Sequence, residues 1–345
     1  MWPFDFVHPN GVSWLSDRKG IHFSTPGVLT SVSQLRPQVS VKGTSLTIEA
    51  FFRTDEIWSL RSLLGFYSPD KSRRLLIFQW DGGLLISRGL PIELKATTPD
   101  QIYAKGIFER GQPMFLAIAS GPAGTAIYAN GIQKEFFPNF QIYAADLCGE
   151  LVLGTSPAKF SPWVGDFYRL TISARTLSPK QVLDRYESLS APSSAVSSNL
   201  SSTIAEYLFS ESAGNIVHSS IPSAPDLQIP RTFSVPYKGF LASPSENFRN
   251  TWAYYRGALS NVLGFMPLGF FLCAYLAQTR ACSFAVLYSY LAGGIFSFFI
   301  EFAQGYIPQR DSGFNDVLTN GLGALLGALL VRRLHSFATL TAHGD

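Results

Sequence analysis

Two carboxylates, one arginine and four neutral polar side chains stand in or beside long apolar runs: Asn261, Ser297, Glu301, Gln304, Arg310, Asp316 and Asn320. Ser297 and Glu301 are four residues apart, as are Asp316 and Asn320, so each pair shares one helix face. At about 1.5 Å of rise per residue, the groups lie within roughly 10 Å of one end of their helices. Polar groups at such depth in an apolar medium are costly unless they face one another. Convergence into one cluster is therefore expected, with Arg310 reaching in from a loop. Such a cluster fits three kinds of chemistry. It can bind a polar headgroup. It can act on one, with Glu301 or Asp316 as acid or base and Arg310 on a phosphate. Or it can simply join helices, for which about 0.6–2 kcal/mol per contact suffices.

Other reactive side chains form no recognisable set. Cys148, Cys273 and Cys282 are odd in number and have no CxxC spacing. The histidines, His8, His22, His218, His335 and His343, form no HExxH pair and are expected to be structural or solvated. No metal site is predicted. Asp81 and Asp166 are read as turn residues, with a calcium or sugar ligand as the alternative. Trp58, Trp80 and Trp163 are read as core residues, with sugar stacking as the alternative. No E-x-D-x-x-E run places three carboxylates on one strand face, as a glycosidase of that type requires.

The elements that position the polar cluster are apolar spans. Gly257–Thr279 and Ala281–Ile300 carry no charge and reach the roughly 20 residues that a membrane crossing needs. The run Val317–Val331 is shorter and becomes a third span if its helix extends from Gly313 to Leu334, with Asp316 at the positive end of the helix dipole. Gly323 and Gly327 form a GxxxG face for close helix approach. The whole chain is 46% hydrophobic and 15% charged, against about 25% charge in an ordinary soluble domain. Its net charge of +3 and lack of basic runs point away from nucleic acid. Arg280, Arg332 and Arg333 predict a cytoplasmic C-terminus and an extracytoplasmic N-terminal part. The opening residues, Met1-Trp2-Pro3-Phe4, lack the charged and apolar regions of an export signal, so a further apolar span upstream is expected.

The N-terminal part reads as short strands. Residues 46–53 alternate between two faces. Arg74–Trp80 and Leu84–Ser87 flank Asp81-Gly82-Gly83, and Thr125–Ala129 and Ile132–Phe136 flank Asn130-Gly131, both strong hairpin patterns. Trp163–Ile172 is a further strand. Ser178-Pro179-Lys180-Gln181 then opens a helix with a capping box. Residues 191–203 form a Ser-rich loop, and residues 204–209 and 212–217 are expected to pair with each other and close the sandwich. The predicted fold class is an antiparallel all-β sandwich followed by three transmembrane helices. Its expected divisions are a sandwich over 1–240, a linker over 241–256, a membrane domain over 257–335 and a cytoplasmic tail over 336–345.

The phrases "SLTIEAFFRT", "AIYANGIQKEF" and "ELVLGTSPAKFSPWVGDFYRLTISARTLSPKQVLDRYE" resemble the laminin-G and concanavalin A-like lectin superfamily over residues 10–190. That resemblance implies a jelly-roll fold and a glycan or envelope partner; no cofactor is evident, calcium at Asp81 or Asp166 being the alternative reading of those two residues. The segment "NVLGFMPLGF…SFFIEFAQGYIPQRDSGFNDVLTNGLGALLGALL" resembles the VanZ-like family over residues 255–332. The family's motif positions fall on Asn261, Pro267, Gly269, Glu301, Gln304, Arg310, Asp316 and Asn320. This second resemblance implies a multi-pass protein of the bacterial plasma membrane, a lipid-linked envelope precursor as partner and an association with glycopeptide antibiotic resistance. The family usually has one more span ahead of these. Together they imply a non-enzymatic envelope protein, with a membrane enzyme or a purely structural cluster as alternatives.

Overall fold

The computed structural model describes residues 8–37, 45–68, 74–88, 99–156, 161–190, 202–233, 241, 243–244, 252–279, 284–305 and 312–341. The chain divides into two compact units, with the boundary between Tyr237 and Lys238.

The first unit is an antiparallel β-sandwich. Its described strands are, in chain order, β1 (Val12–Trp14), β2 (Ile21–Phe23), β3 (Leu29–Ser31), β4 (Leu46–Thr54), β5 (Arg61–Tyr67), β6 (Arg74–Trp80), β7 (Gly83–Arg88), β8 (Gln101–Ala104), β9 (Pro113–Gly121), β10 (Gly124–Ala129), β11 (Ile132–Phe137), β12 (Glu150–Leu153), β13 (Gly165–Ser173), β14 (Thr203–Tyr207), β15 (Ile216–Val217) and β16 (Leu227–Gln228). One sheet runs β1-β2-β13-β4-β9-β10-β11, with β14 also paired to β13. The other runs β15-β16-β3-β12-β5-β6-β7-β8. The core between them holds Phe23, Phe52, Trp163 and Phe167, all fully buried. Trp163 meets Phe23 and Phe167 edge-on, with ring centroids 5.7 and 5.1 Å apart. Such aromatic pairs add to the burial of their large apolar area.

Both hairpins form as their turn residues dictate. Asp81 and Gly82 take φ of 48° and 69°, and Asn130 and Gly131 take 51° and 79°, the left-handed pairs that match strand twist. Helix α1 (Pro179–Ser190) starts with its capping box in place. Gln181 Oε1 accepts from the Ser178 N–H at 2.9 Å, and Ser178 Oγ accepts from the Gln181 N–H at 3.4 Å.

Residues 204–209 and 212–217 do not pair with each other as a hairpin. β14 pairs with β13, whereas β15 pairs with β16 in the opposite sheet. The backbone turns at Phe209 and Ser212, with φ of 47° and 62°, and Phe209 drops into the core. This crossing carries the chain between sheets where a hairpin would have kept it in one.

The second unit contains α2 (Trp252–Ala277), α3 (Ala285–Gly305) and α4 (Phe314–Thr341). Each is long and apolar enough to cross a membrane. α2 begins within the stretch read as linker, and α4 runs on through Thr341 into the stretch read as tail. The bundle is polar and small inside, apolar outside. Ala285, Ser289, Gly293, Ser297 and Glu301 form the buried ridge of α3 at a spacing of four. Phe271, Tyr275, Ile295 and Phe299 are all more than half exposed, the pattern of helices solvated by lipid. A Cβ at Gly323 or Gly327 would overlap the Val262 or Met266 carbonyl, so the GxxxG face lies directly against α2.

Candidate functional site

Helix connectivity brings the N-terminal part of α2, the C-terminal end of α3 and the start of α4 to one end of the bundle. There Asn261, Glu301, Gln304, Asp316 and Asn320 line one cleft of about 240 Å³. Asn261 Nδ2 donates to Asp316 Oδ1 at 2.9 Å and to Thr319 Oγ1 at 3.3 Å, joining α2 to α4. Asn320 Nδ2 donates to Ser297 Oγ at 2.9 Å, joining α4 to α3. Glu301 is buried. Its Oε2 accepts from the Gly313 N–H at 3.0 Å, and its backbone carbonyl accepts from Ser312 Oγ at 2.8 Å. Asn320 Oδ1 is buried with no hydrogen-bond partner among the described residues. The expected convergence of these side chains is thus seen for Asn261, Ser297, Glu301, Gln304, Asp316 and Asn320. Arg310 lies outside the described residues, as does Arg280.

The sandwich carries a second polar cluster that sequence spacing does not reveal. Across β1, β2, β13 and β4 the register aligns Ser13 with His22, His22 with Asp166, and Asp166 with Arg53. Their neighbours Ile21, Phe23, Phe52 and Phe167 point into the core, so alternation turns this row outward. His22 Nδ1 lies 2.7 Å from Asp166 Oδ1, and Arg53 Nη2 lies 3.0 Å from Asp166 Oδ2. Tyr168 Oη donates to Asp166 Oδ2 at 3.2 Å. Burial, with the charge of Asp166 beside it, pushes the Tyr168 hydroxyl up to about 12. The row opens on a pocket of about 370 Å³ rimmed by Trp14, Asp17 and Arg18. Asp166 is therefore a buried, triply held strand residue, not the turn residue that its sequence context predicts. Asp81 does sit in a turn. A signal for the row was present only as strand alternation: His22, Arg53 and Asp166 each neighbour an inward-facing apolar residue, and topology alone makes them adjacent.

The three tryptophans separate. Trp163 is fully buried, whereas Trp80 is partly covered and lies 5.2 Å from the Tyr103 ring. Trp58 is 67% exposed, so the core reading fails for it. Its loop is fixed by Glu56, whose Oε1 accepts from the Trp58 and Ser59 N–H groups at 2.6 and 2.7 Å. Beneath α1, Glu49 lies buried, with Arg185 4.0 Å away and Oε2 unpartnered among the described residues. Among the described residues no group of three His, Cys, Asp or Glu side chains is placed to hold a metal ion.

An antiparallel sandwich joined to three membrane-length helices with a polar cleft defines the class of protein. Residues 182–335, just under half of the chain, match the family model described as VanZ/LLP1, and the match covers the helical unit. No curated protein matches the chain. Among solved structures, the sandwich is similar to the CBM40 module of the Ruminococcus gnavus IT-sialidase bound to α2,3-sialyllactose. That likeness has 12% identity and a TM-score of 0.36, covering 49% of this chain and 97% of the module. A SAP-like pentraxin from Limulus polyphemus is similar at 14% identity and a TM-score of 0.36, covering 66% of this chain and 97% of the pentraxin. Domain 4 of a GH43 arabinanase from Geobacillus stearothermophilus, in complex with arabinotriose, is similar at 16% identity and a TM-score of 0.37, covering 52% of this chain and 85% of that domain.

Proposed function

We propose that this is a non-enzymatic integral membrane protein of the bacterial envelope, in which the helical unit holds the polar headgroup of a membrane lipid or lipid-linked precursor and an extracytoplasmic sandwich binds a glycan. The observation that carries this reading is Asn320 Oδ1, a buried acceptor without a partner on the wall of the cleft. Leaving such a group unpaired costs about 1–3 kcal/mol. A hydroxyl or amine of a bound headgroup would remove that cost. Glu301 and Asp316 support binding over catalysis, since each is engaged by a hydrogen-bond donor of the helical unit, Gly313 N–H and Asn261 Nδ2. The proposed orientation rests on Arg280, Arg332 and Arg333, which the positive-inside rule assigns to the cytoplasmic side.

The test is native mass spectrometry of the detergent-purified full chain, titrated with phosphatidylethanolamine and with a polyprenyl-pyrophosphate-linked sugar. A saturable adduct with one probe is expected, weakened about tenfold or more in Glu301→Gln and Asp316→Asn while thermal stability persists. Those near-isosteric changes keep the hydrogen-bond acceptors and remove charge. Adducts identical in wild type and variants would reduce the cluster to a joint between helices. Orientation is checked separately by Leu340→Cys in a background with Cys148, Cys273 and Cys282 replaced by serine. Labelling of that cysteine from outside intact cells would invert the topology.

A further inference from the structure

We infer that the outward pocket of the His22–Asp166–Arg53 row is the glycan site of the sandwich, and that its ligand is a neutral saccharide. This deepens the glycan-binding reading above and rests on it. The charged groups that line the pocket balance, two against two: Arg18 pairs with Asp17 at 3.0 Å, and Arg53 with Asp166 at 3.0 Å. Asp55, outside the lining, meets Arg53 at 3.3 Å, so these groups hold no excess positive charge to draw in an anion. What they offer is a set of oriented hydrogen-bonding groups, which suits the hydroxyls of an uncharged sugar.

His22 is the central group. Asp166 is 5% exposed at its side chain, and a carboxyl group at that depth requires hydrogen-bonding partners. It accepts from Arg53 and Tyr168 on one oxygen, and the other faces His22 Nδ1. With Nδ1 turned to Asp166, Nε2 points away from the carboxyl group as the nitrogen left to hydrogen-bond a ligand hydroxyl. The side chain of His22 is 32% exposed, enough for a ligand hydroxyl to reach that nitrogen. Ser13, directly across the strand pair, adds a hydroxyl that can donate or accept. Trp14, paired with Ile21, packs against the core, and its Nε1 donates to the Gly214 carbonyl at 2.8 Å, so β1 is tied down with Ser13 facing the pocket side. The volume of about 370 Å³ falls at the small end of ligand pockets, the size for a terminal sugar unit or a short segment.

The experiment uses the full chain in detergent. Its probes are immobilised hexasaccharides of glucose and of N-acetylglucosamine, with oligogalacturonate as the acidic counterpart. His22→Asn keeps a donor for Asp166 and removes Nε2. Trp58→Ala, on a separate loop, is the control. Binding of a neutral hexasaccharide is expected, about tenfold weaker in His22→Asn, unchanged in Trp58→Ala, with both variants melting within a few degrees of wild type. Binding that His22→Asn leaves intact would overturn the assigned pocket and keep the glycan reading. Binding of oligogalacturonate alone would overturn the neutral class. Binding of none of the probes by wild type would overturn the glycan reading and this proposal with it.

Discussion

Burial pushes the Glu49 carboxyl above its ordinary value of 4.5, against the pull of Arg185, Arg169 and Arg175. An acid raised on folding contributes stability that is fully present below its unfolded value and lost as pH rises through its folded one. Glu49→Gln stays neutral throughout. It should match wild type below pH 4.5 and melt higher than wild type at neutral pH, as calorimetry across that range would show. Glu56 has the opposite sign. Burial pulls its carboxyl upward, but hydrogen bonds from Arg61 and from the Ser59 and Trp58 N–H groups outweigh it, so the group sits below 4.5. Its contribution is present above 4.5 and lost as pH falls through the folded value. Glu56→Gln should melt lower at neutral pH and converge with wild type in acid, and it should loosen the Trp58 loop, visible as a change in tryptophan emission. At this scale the sequence was readable in the membrane unit and opaque in the sandwich. Asn261, Glu301, Asp316 and Asn320 stood out because polar groups in apolar spans are rare. His22, Arg53 and Asp166 look like ordinary surface residues until the register joins three distant strands.

Helix spacing explains why the membrane elements were legible. A period of four puts Ser297 and Glu301 on one line of α3, and Gly323 and Gly327 on one line of α4, whatever the neighbouring helices do. The structure adds which helix each line meets. Gly323 and Gly327 meet the backbone of α2, whereas a Cβ at Gly294 would enter open space. Gly323→Ala and Gly327→Ala should each destabilise by about 1–3 kcal/mol, because the two backbones must separate. Gly294→Ala should be neutral or stabilise by up to about 1 kcal/mol through helix propensity. Thermal melting of the purified variants tests the contrast, and equal effects at all three positions would rule out close packing on the GxxxG face. In the sandwich the hairpins were legible because Asp81-Gly82 and Asn130-Gly131 suit only one kind of turn. The passage from β14 to β15 was not. Nothing in the local pattern of residues 204–217 separates two strands that pair from two that belong to opposite sheets, and the turn at Phe209 is set by the core it enters.

The family match and the structural units divide the chain differently. The match begins at Val182, inside α1, whereas the sandwich continues to Tyr237 and includes β14, β15 and β16. Tyr207, Phe209, Val217 and Leu227 lie in that shared stretch and are fully buried in the sandwich core. Tyr207 Oη donates to the Pro225 carbonyl at 2.6 Å, and Glu206 pairs with Arg169 of β13. Each of the four side chains stabilises by roughly 1.5–3 kcal/mol on burial. Their sum rivals the whole stability of a domain, roughly 5–15 kcal/mol. A chain ending after Ser190 should therefore fail to fold, although it contains every residue of the lectin-like resemblance. A chain ending after Tyr237 should give a water-soluble β-sheet protein whose melting temperature lies within about 4 °C of the sandwich transition in the full chain, the shift that about 1 kcal/mol would produce in a domain of this size. Circular dichroism of the two truncations decides the point. A folded product from the shorter one would mean that β14–β16 only decorate the sandwich, and the unit that the match cuts across would have to be redrawn at α1.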